Sequence, residues 1–269
     1  MTGPGMIVAT TNGAVTVLTL SQPPVNAISE EWVRAFDAKL DELAGGPPCT
    51  VLHIRSDQKV FCAGADLREV WTHMGAPDGA ERMYAYVAGI QRLYARIEQL
   101  PQVVLAEIGG AAMGGGLELA LACDLRIAAA EARLGLPEAR LGLLPGAGGT
   151  QRLTRLCGAA LAARLILGAE ILDGVAASTL GVVNWAVPRP ELAQRAAGIV
   201  AGIANLPAAA LAASKACIAA AGHRDRGGFT DELEFTRRLL GNAETRERVE
   251  AFLAGSTASS VQMKKGVAR

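Results

Sequence analysis

Aromatic side chains make up only 4% of this chain, against 51% hydrophobic residues overall. A core short of large rings has to be filled by aliphatic and small residues, which suits Ala- and Gly-rich helices packed closely on a sheet. An excess of either charge is also missing, since Lys plus Arg and Asp plus Glu both number 26. That balance removes any bulk electrostatic signal for a nucleic-acid or anionic-membrane partner, while leaving room for a local cluster that holds an acidic small molecule. There is no CxxC pair and no His cluster to suggest a metal site. The five cysteines (Cys49, Cys62, Cys123, Cys157, Cys217) are odd in number, widely spaced and set among apolar residues, which reads as buried free thiols in a reducing compartment. The start, MTGPGMIVATTNG, lacks a basic stretch followed by an apolar run, and no segment reaches the roughly 18 uninterrupted apolar residues of a membrane span. The expectation is a soluble cytoplasmic protein with no metal, membrane or nucleic-acid partner.

What is present is an alternation of strands and helices. Ala14 to Ser21 (AVTVLTLS) and Val51 to Ser56 (VLHIRS) are rich in β-branched residues and read as strands. Between them, Trp32, Val33, Phe36, Leu40 and Leu43 recur at helical spacing behind Ser29, a candidate N-cap. A second amphipathic helix carries Met83, Val87, Ile90, Leu93, Tyr94 and Ile97. The apolar strand Gln102 to Ile108, a helix from MGGGLELALAC and a strand at Asp124 to Ala129 follow it. Beyond about residue 190 the segments are helical in composition, and the tail from Gly255 is polar. No Ser/Pro linker and no fixed-period repeat interrupts the 269 residues. The expected organisation is an α/β core with the site at 1–195 and an all-α extension at 196–269.

Residues 113 to 118, MGGGLE, place three glycines and a glutamate between a buried strand and a helix. Such a junction presents unpaired backbone N–H groups at the positive end of a helix dipole, and glycine leaves them approachable. The anion served is a phosphate or an oxyanion formed in a transition state; alternatively the glycines serve only close helix–strand packing. No GxxxxGK[ST] and no GxGxxG with a downstream acid favours a nucleotide. A second small-residue turn lies in Val60 to Leu67 (VFCAGADL), and two N–H groups from different loops are the minimum for an oxyanion hole. A third stretch, Leu134 to Leu153 (LGLPEARLGLLPGAGGTQRL), brings Glu138 after Pro137 and another glycine cluster. Taken singly, Glu118 or Glu138 reads as a residue complementing a helix dipole; as a pair in apolar surroundings they require a joint account.

VFCAGADL, IGGAAMGGGLELALACDLRIAA and LGLPEARLGLLPGAGGTQRL, in this order, resemble the three signature blocks of the enoyl-CoA hydratase/isomerase family, the crotonase superfamily. QPPVNAIS (Gln22 to Ser29) is similar to the family's Pro-x-x-Asn-Ala-Leu segment. The likeness covers roughly residues 6 to 190 strongly and the helical remainder weakly. It implies an α/β fold, a crotonase-like spiral of ββα units with an all-α C-terminal extension, and an acyl-CoA thioester substrate with no separate cofactor, CoA being part of the substrate. Matched residue by residue, it implies oxyanion donors at Ala63 and Gly115, catalytic carboxylates at Glu118 and Glu138, and substrate contacts along Ala27, Ala63, Gly64, Ala65, Asp66, Gly114 and Gly115. It also implies that the helical region at 196–269 builds a homotrimer or a dimer of trimers.

The expected chemistry is hydration of a trans-2-enoyl thioester. Two preorganised N–H groups stabilise an enolate-like transition state, Glu118 positions and deprotonates the water, and Glu138 delivers the proton to the α-carbon. Rival readings are an isomerase or C–C lyase using the same hole with one dominant Glu, a non-catalytic acyl-CoA binder, and a phosphate-cradling nucleotide protein. Asp66 reads as a turn and helix cap, and Asp124, Arg126 and Arg152 as Asp–Arg pairs at the ends of core elements. His53, His73 and His223 are isolated in sequence. Tyr84, Tyr86 and Tyr94 are candidates for the border of the acyl pocket, with core packing the better account of Tyr94. Two departures from the family stand out: Leu136 where many hydratases carry a polar residue, and a C-terminus without the usual basic ending, for which Lys264 and Lys265 are the available substitutes.

Overall fold

The computed structural model describes residues 5–221 and, beyond them, residues 236, 237, 240, 241, 243, 245–247 and 249–255. In chain order the elements are β1 (Ile7–Asn12), β2 (Val15–Leu20), α1 (Glu30–Gly45), β3 (Val51–Ser56), α2 (Leu67–Gly75), α3 (Gly79–Gln99), β4 (Val103–Ile108) and β5 (Ala112–Met113). They continue as α4 (Gly115–Leu121), β6 (Leu125–Ala129), β7 (Arg133–Gly135), α5 (Gly149–Leu167), β8 (Ile171–Asp173), α6 (Gly174–Thr179), β9 (Trp185–Val187), α7 (Arg189–Ala204) and α8 (Ala208–Ala221).

The larger sheet runs β1-β2-β3-β4-β6-β9, and only the β1–β2 pair is antiparallel. Parallel neighbours need crossover connections, and the helices expected between the strands supply them. Within α1, Trp32, Val33, Phe36 and Leu40 are buried, and Ser29 accepts a hydrogen bond from the Trp32 N–H at 3.0 Å, as the spacing predicts. Asp66 caps α2 in the same way, accepting from the N–H groups of Arg68 and Glu69. Strand β1 escapes sequence reading because only Ile7 of its six residues is buried, leaving no alternation to detect.

A smaller sheet, β5-β7-β8, positions the site. Single parallel bridges join Ile28 to Ala65 and Cys62 to Ala112. Through these pairings the segments around Ile28, Ala65, Met113 and Gly135 come side by side. Residue 195 lies inside α7, whose Leu192, Ala196 and Val200 are buried and which packs on the larger sheet. The helical character therefore begins within the core layer instead of after it. The tail from Ser256 onward, which includes Lys264 and Lys265, lies outside the described residues, as does His223.

Three expectations about side chains need correcting. Asp124 and Arg126 are structural, but not as a pair: Asp124 accepts from Lys215 Nζ and the Val104 N–H, both at 2.7 Å. Arg126 is spent on the carbonyls of Val182, Ala120 and Cys123, the last two at the C-terminal end of α4, where a cation complements the dipole. Arg152 pairs with Glu98 at 2.7 Å. His53 is not isolated in space, since its Nε2 lies 2.9 Å from Glu107 on the neighbouring strand β4. Of the cysteines, Cys62 and Cys123 are buried, Cys49 and Cys157 are partly covered, and Cys217 is exposed.

Burial pushes the Cys62 and Cys123 thiols up to about 12, so neither offers appreciable thiolate near neutrality. Titration of the native protein with an aromatic disulfide reagent at mildly alkaline pH is expected to modify Cys217 first and to reach Cys62 and Cys123 only after denaturant is added. Simultaneous reaction of all five thiols in the native state would contradict this burial.

Candidate active site

The three glycines of MGGGLE are required for three different reasons. Gly114 adopts φ +52, which residues with a Cβ rarely do, and a Cβ there would also stand 2.8 Å from Glu138 Oε1. A Cβ on Gly115 would meet Ile28 Cδ1 at 2.8 Å, and one on Gly116 would press to 2.2 Å from the Cys62 carbonyl oxygen. All three thus permit close approach, Gly116 to the Cys62 backbone, Gly115 to the Ile28 side chain and Gly114 to the Glu138 carboxylate.

Gly115 is the first residue of α4, so its N–H is one of the helix's unbonded leading donors. Gly64, at φ +94, is what keeps that N–H open, because a Cβ on Gly64 would stand 3.2 Å from Gly115 N and 2.8 Å from the Met113 carbonyl oxygen. The second donor differs from the expected one. The Ala63 N–H donates to the Val25 carbonyl at 3.0 Å and is therefore engaged in holding the two loops together. Ala65 faces the other way. In its parallel bridge, Ile28 donates to the Gly64 carbonyl and accepts from the Asp66 N–H, which leaves Ala65's own N–H directed to the opposite edge. Ala65 N lies 3.7 Å from where a Gly115 Cβ would be, and neither N–H has a protein acceptor among the described residues. The two N–H groups left open at this contact are those of Ala65 and Gly115, where the resemblance implied Ala63 and Gly115. Sequence matching missed this because Gly64 turns the chain between two alanines that look interchangeable; the glycine was itself the available signal.

The two carboxylates reach this turn by different routes. Glu118 sits in the first turn of α4, 3% exposed, and its Oε1 accepts from the Ala147 and Gly149 N–H groups at 2.9 and 2.7 Å. Gly149 opens α5, so the carboxylate is held at the positive end of a second helix by short charge-assisted bonds. Gly149 must lack a side chain as well, since a Cβ would come within 2.8 Å of that same oxygen. Glu138 arrives through the smaller sheet. Met113 pairs with Gly135, the Gly114 N–H donates to the Gly135 carbonyl at 3.0 Å, and the turn at Glu138–Leu141 then brings the Glu138 carboxylate against Gly114. Leu136 is fully buried in the core, and its aliphatic side chain can give Glu138 no hydrogen bond.

The family's Asn position has a structural explanation. Asn26 is fully buried at φ +51, a region Asn tolerates better than most residues; it donates to Ser56 Oγ and the Phe61 carbonyl and accepts from the Gln22 N–H. It thereby fixes the segment that carries half-buried Ala27 and Ile28 beside the Ala65 strand. Tyr86 donates to the Ile28 carbonyl, and Tyr94 to the Gly115 carbonyl at 2.7 Å. Both rings are buried, while Tyr84 is partly exposed. Among the described residues no group of three His, Cys, Asp or Glu side chains is arranged to hold a metal.

Comparison with known proteins gives the following. Residues 10–258 match the family model described as enoyl-CoA hydratase/isomerase. A probable enoyl-CoA hydratase of Bacillus subtilis (strain 168) is 40% identical over 195 residues, covering 71% of this chain and 73% of that protein. The methylglutaconyl-CoA hydratase of Homo sapiens mitochondria is 40% identical over 160 residues, 59% of this chain and 46% of that one, so under half of that relative is spanned. The crystal structure of a putative enoyl-CoA hydratase from Streptomyces avermitilis superposes with a TM-score of 0.83 at 32% identity, covering 93% of this chain and 90% of that one.

Replacing Gly64 by Ala forces a Cβ into the Met113 carbonyl at positive φ and is expected to lower the unfolding free energy by about 1–3 kcal/mol. Gly45→Ala, where a Cβ meets nothing within 4 Å, is expected to stay within about 0.5 kcal/mol of the parent. Denaturant unfolding of the two variants side by side checks the contrast.

Proposed function

Because the chain belongs to the enoyl-CoA hydratase/isomerase family, we propose that it adds water across the double bond of a trans-2-enoyl-CoA thioester to give a 3-hydroxyacyl-CoA, as a step of fatty acid or related acyl-CoA breakdown. The observation that carries the reading is that Glu138 lies against Gly114 and Glu118 sits in the first turn of the helix that follows, beside the Gly115 N–H of that turn and the Ala65 N–H of the neighbouring loop.

The chemistry needs each of these groups. An enoyl thioester becomes electrophilic at its β-carbon only as negative charge gathers on the carbonyl oxygen. The Ala65 and Gly115 N–H groups, fixed before substrate arrives, stabilise that charge without reorganising. Water then needs a base on one side and the α-carbon needs an acid. The water is assigned to Glu118, because two N–H donors at the head of α5 hold its carboxylate in one orientation before substrate arrives. Glu138, reaching in from a short turn without such a helix behind it, is assigned proton delivery to the α-carbon.

A crotonase-type isomerase or lyase would use the same donors with one dominant carboxylate. Glu118→Gln separates the two readings while sparing the fold, because the amide oxygen can still accept from Ala147 and Gly149. Hydration, followed as loss of the conjugated enoyl absorbance, is expected to fall by about 10²- to 10⁴-fold in this variant. An unaffected rate, or a parent protein that consumes a non-conjugated 3-enoyl thioester and hydrates no 2-enoyl chain of any length, would remove the hydratase assignment.

The same reading includes assembly into a homotrimer or a dimer of trimers. What supports it is large apolar side chains left exposed after the site, Leu167 at 79%, Val175 at 55% and Ile218 at 76% on helices and Leu206 at 51% in the turn between α7 and α8. Light scattering of the purified protein is expected to return three or six times the chain's 27.8 kDa; a monomer mass would refute it.

A further inference from the structure

Helix α3 carries no residue assigned to the reaction, yet three side chains on one of its faces reach into the machinery. Gln91, Tyr94 and Glu98 stand at helical spacings of three and four, so they project from the same side. Gln91 Nε2 donates to the Gly146 carbonyl at 2.7 Å. Tyr94 Oη donates to the Gly115 carbonyl. Glu98 accepts from Arg152 Nη2 at 2.7 Å, while Arg152 Nη1 donates to the Ala147 carbonyl at 2.8 Å and the guanidinium lies 6.0 Å above the Tyr94 ring. The face thus touches both halves of the site: the glycine turn with its oxyanion donor, and the 146–149 turn whose N–H groups hold Glu118.

From this geometry we infer that Tyr94 is a positioning residue for the oxyanion hole, its hydroxyl holding the carbonyl of the next peptide and so limiting rotation at the Gly115 Cα that this peptide shares with the one presenting the Gly115 N–H. The inference rests on the oxyanion-hole reading above and not on which acyl-CoA reaction follows. The physical problem is that the reactive N–H belongs to the peptide between Gly114 and Gly115, flanked by two residues without Cβ atoms and at the head of a helix of only seven residues. Such a peptide meets little steric resistance to rotation, and a short helix is weakly self-supporting. Three consecutive peptides are pinned instead. The Gly114 N–H is bound to the Gly135 carbonyl, the Gly114 carbonyl accepts from the Glu118 N–H, and the Gly115 carbonyl accepts from Tyr94. The third pin is the one made by a side chain. Burial pushes the Tyr94 phenol well above its ordinary range, with the neighbouring Cys62 and Glu118 adding to the effect, so the hydroxyl remains a donor throughout the working pH range.

Core packing therefore accounts for the Tyr94 ring but not for its hydroxyl, which Tyr94→Phe removes while keeping ring volume and the Arg152 contact. A donor misaligned in the transition state costs rate more than ground-state binding. The expected result is a fall in kcat of about 10-fold, smaller than the loss of a whole donor, with KM within about two-fold of the parent. A second readout needs no turnover: acetoacetyl-CoA bound to the parent is expected to show the near-ultraviolet absorbance of its enolate, and the variant to bind with that band diminished. If the parent forms the enolate but hydrates nothing, the hydratase reading falls and the Tyr94 inference is judged on the enolate band alone. Enolate and kcat both within about two-fold of the parent in Tyr94→Phe would overturn it, as would a rate loss fully explained by a smaller folded fraction. Absence of the enolate band in the parent overturns the inference together with the oxyanion hole.

Discussion

A methyl group on Gly116 would stand 2.2 Å from the Cys62 carbonyl oxygen, and one on Gly64 would stand 2.8 Å from that of Met113. The turn after β3 and the turn before α4 are therefore in backbone-to-backbone contact, with no side chain between them. Everything else in the site takes its position from this contact. Only at such a separation can amides of two different loops serve one small oxygen atom. The Cys62–Ala112 bridge and the Met113 N–H bond to the Cys62 carbonyl hold the loops at that distance. Asn26, buried with its amide tied to Ser56 and Phe61, supports the outer side of the same contact.

The two glutamates are attached to this contact through different elements. Glu118 is fixed at both ends, by the backbone of α4 and by the leading amides of α5, so its carboxylate has little freedom and a stabilised charge. Glu138 hangs from a single turn of 3₁₀ helix closed by Gly142 at φ +72, and depends on the β5–β7 pairing for its approach to Gly114.

Much of this is readable in the sequence because the motifs encode backbone geometry. Glycines at 64 and 114 mark positive φ, Ser29 and Asp66 mark helix starts, and Glu118 and Glu138 fall beside the turns that hold them. What escapes is of two kinds. That the Ala65 N–H and not that of Ala63 is left open depends on which edge of a bridged strand each N–H faces, a matter of register across the Ile28–Ala65 bridge that residue matching does not carry. The partners of Asp124, Arg126 and His53 depend on contacts between segments distant in the chain, such as Lys215 with Asp124. Strand β1 is silent because an edge strand with one buried residue has no period to read.

Tyr94 illustrates why ring and hydroxyl of one residue need separate accounts. A fully buried phenol must satisfy its hydroxyl, and any of the many carbonyls in a core could do so at equal benefit to stability. Here the acceptor is the carbonyl one peptide beyond the reactive N–H, and the ring lies under the Arg152 that also holds the Ala147 carbonyl. Ala147 in turn gives its N–H to Glu118. One face of α3 therefore contacts the glycine turn through Tyr94 and the 146–149 turn through Gln91 and the Glu98-bound Arg152. Two loops distant in the chain are thus held by one face of one helix, the kind of rigid support that fixes the groups such loops carry.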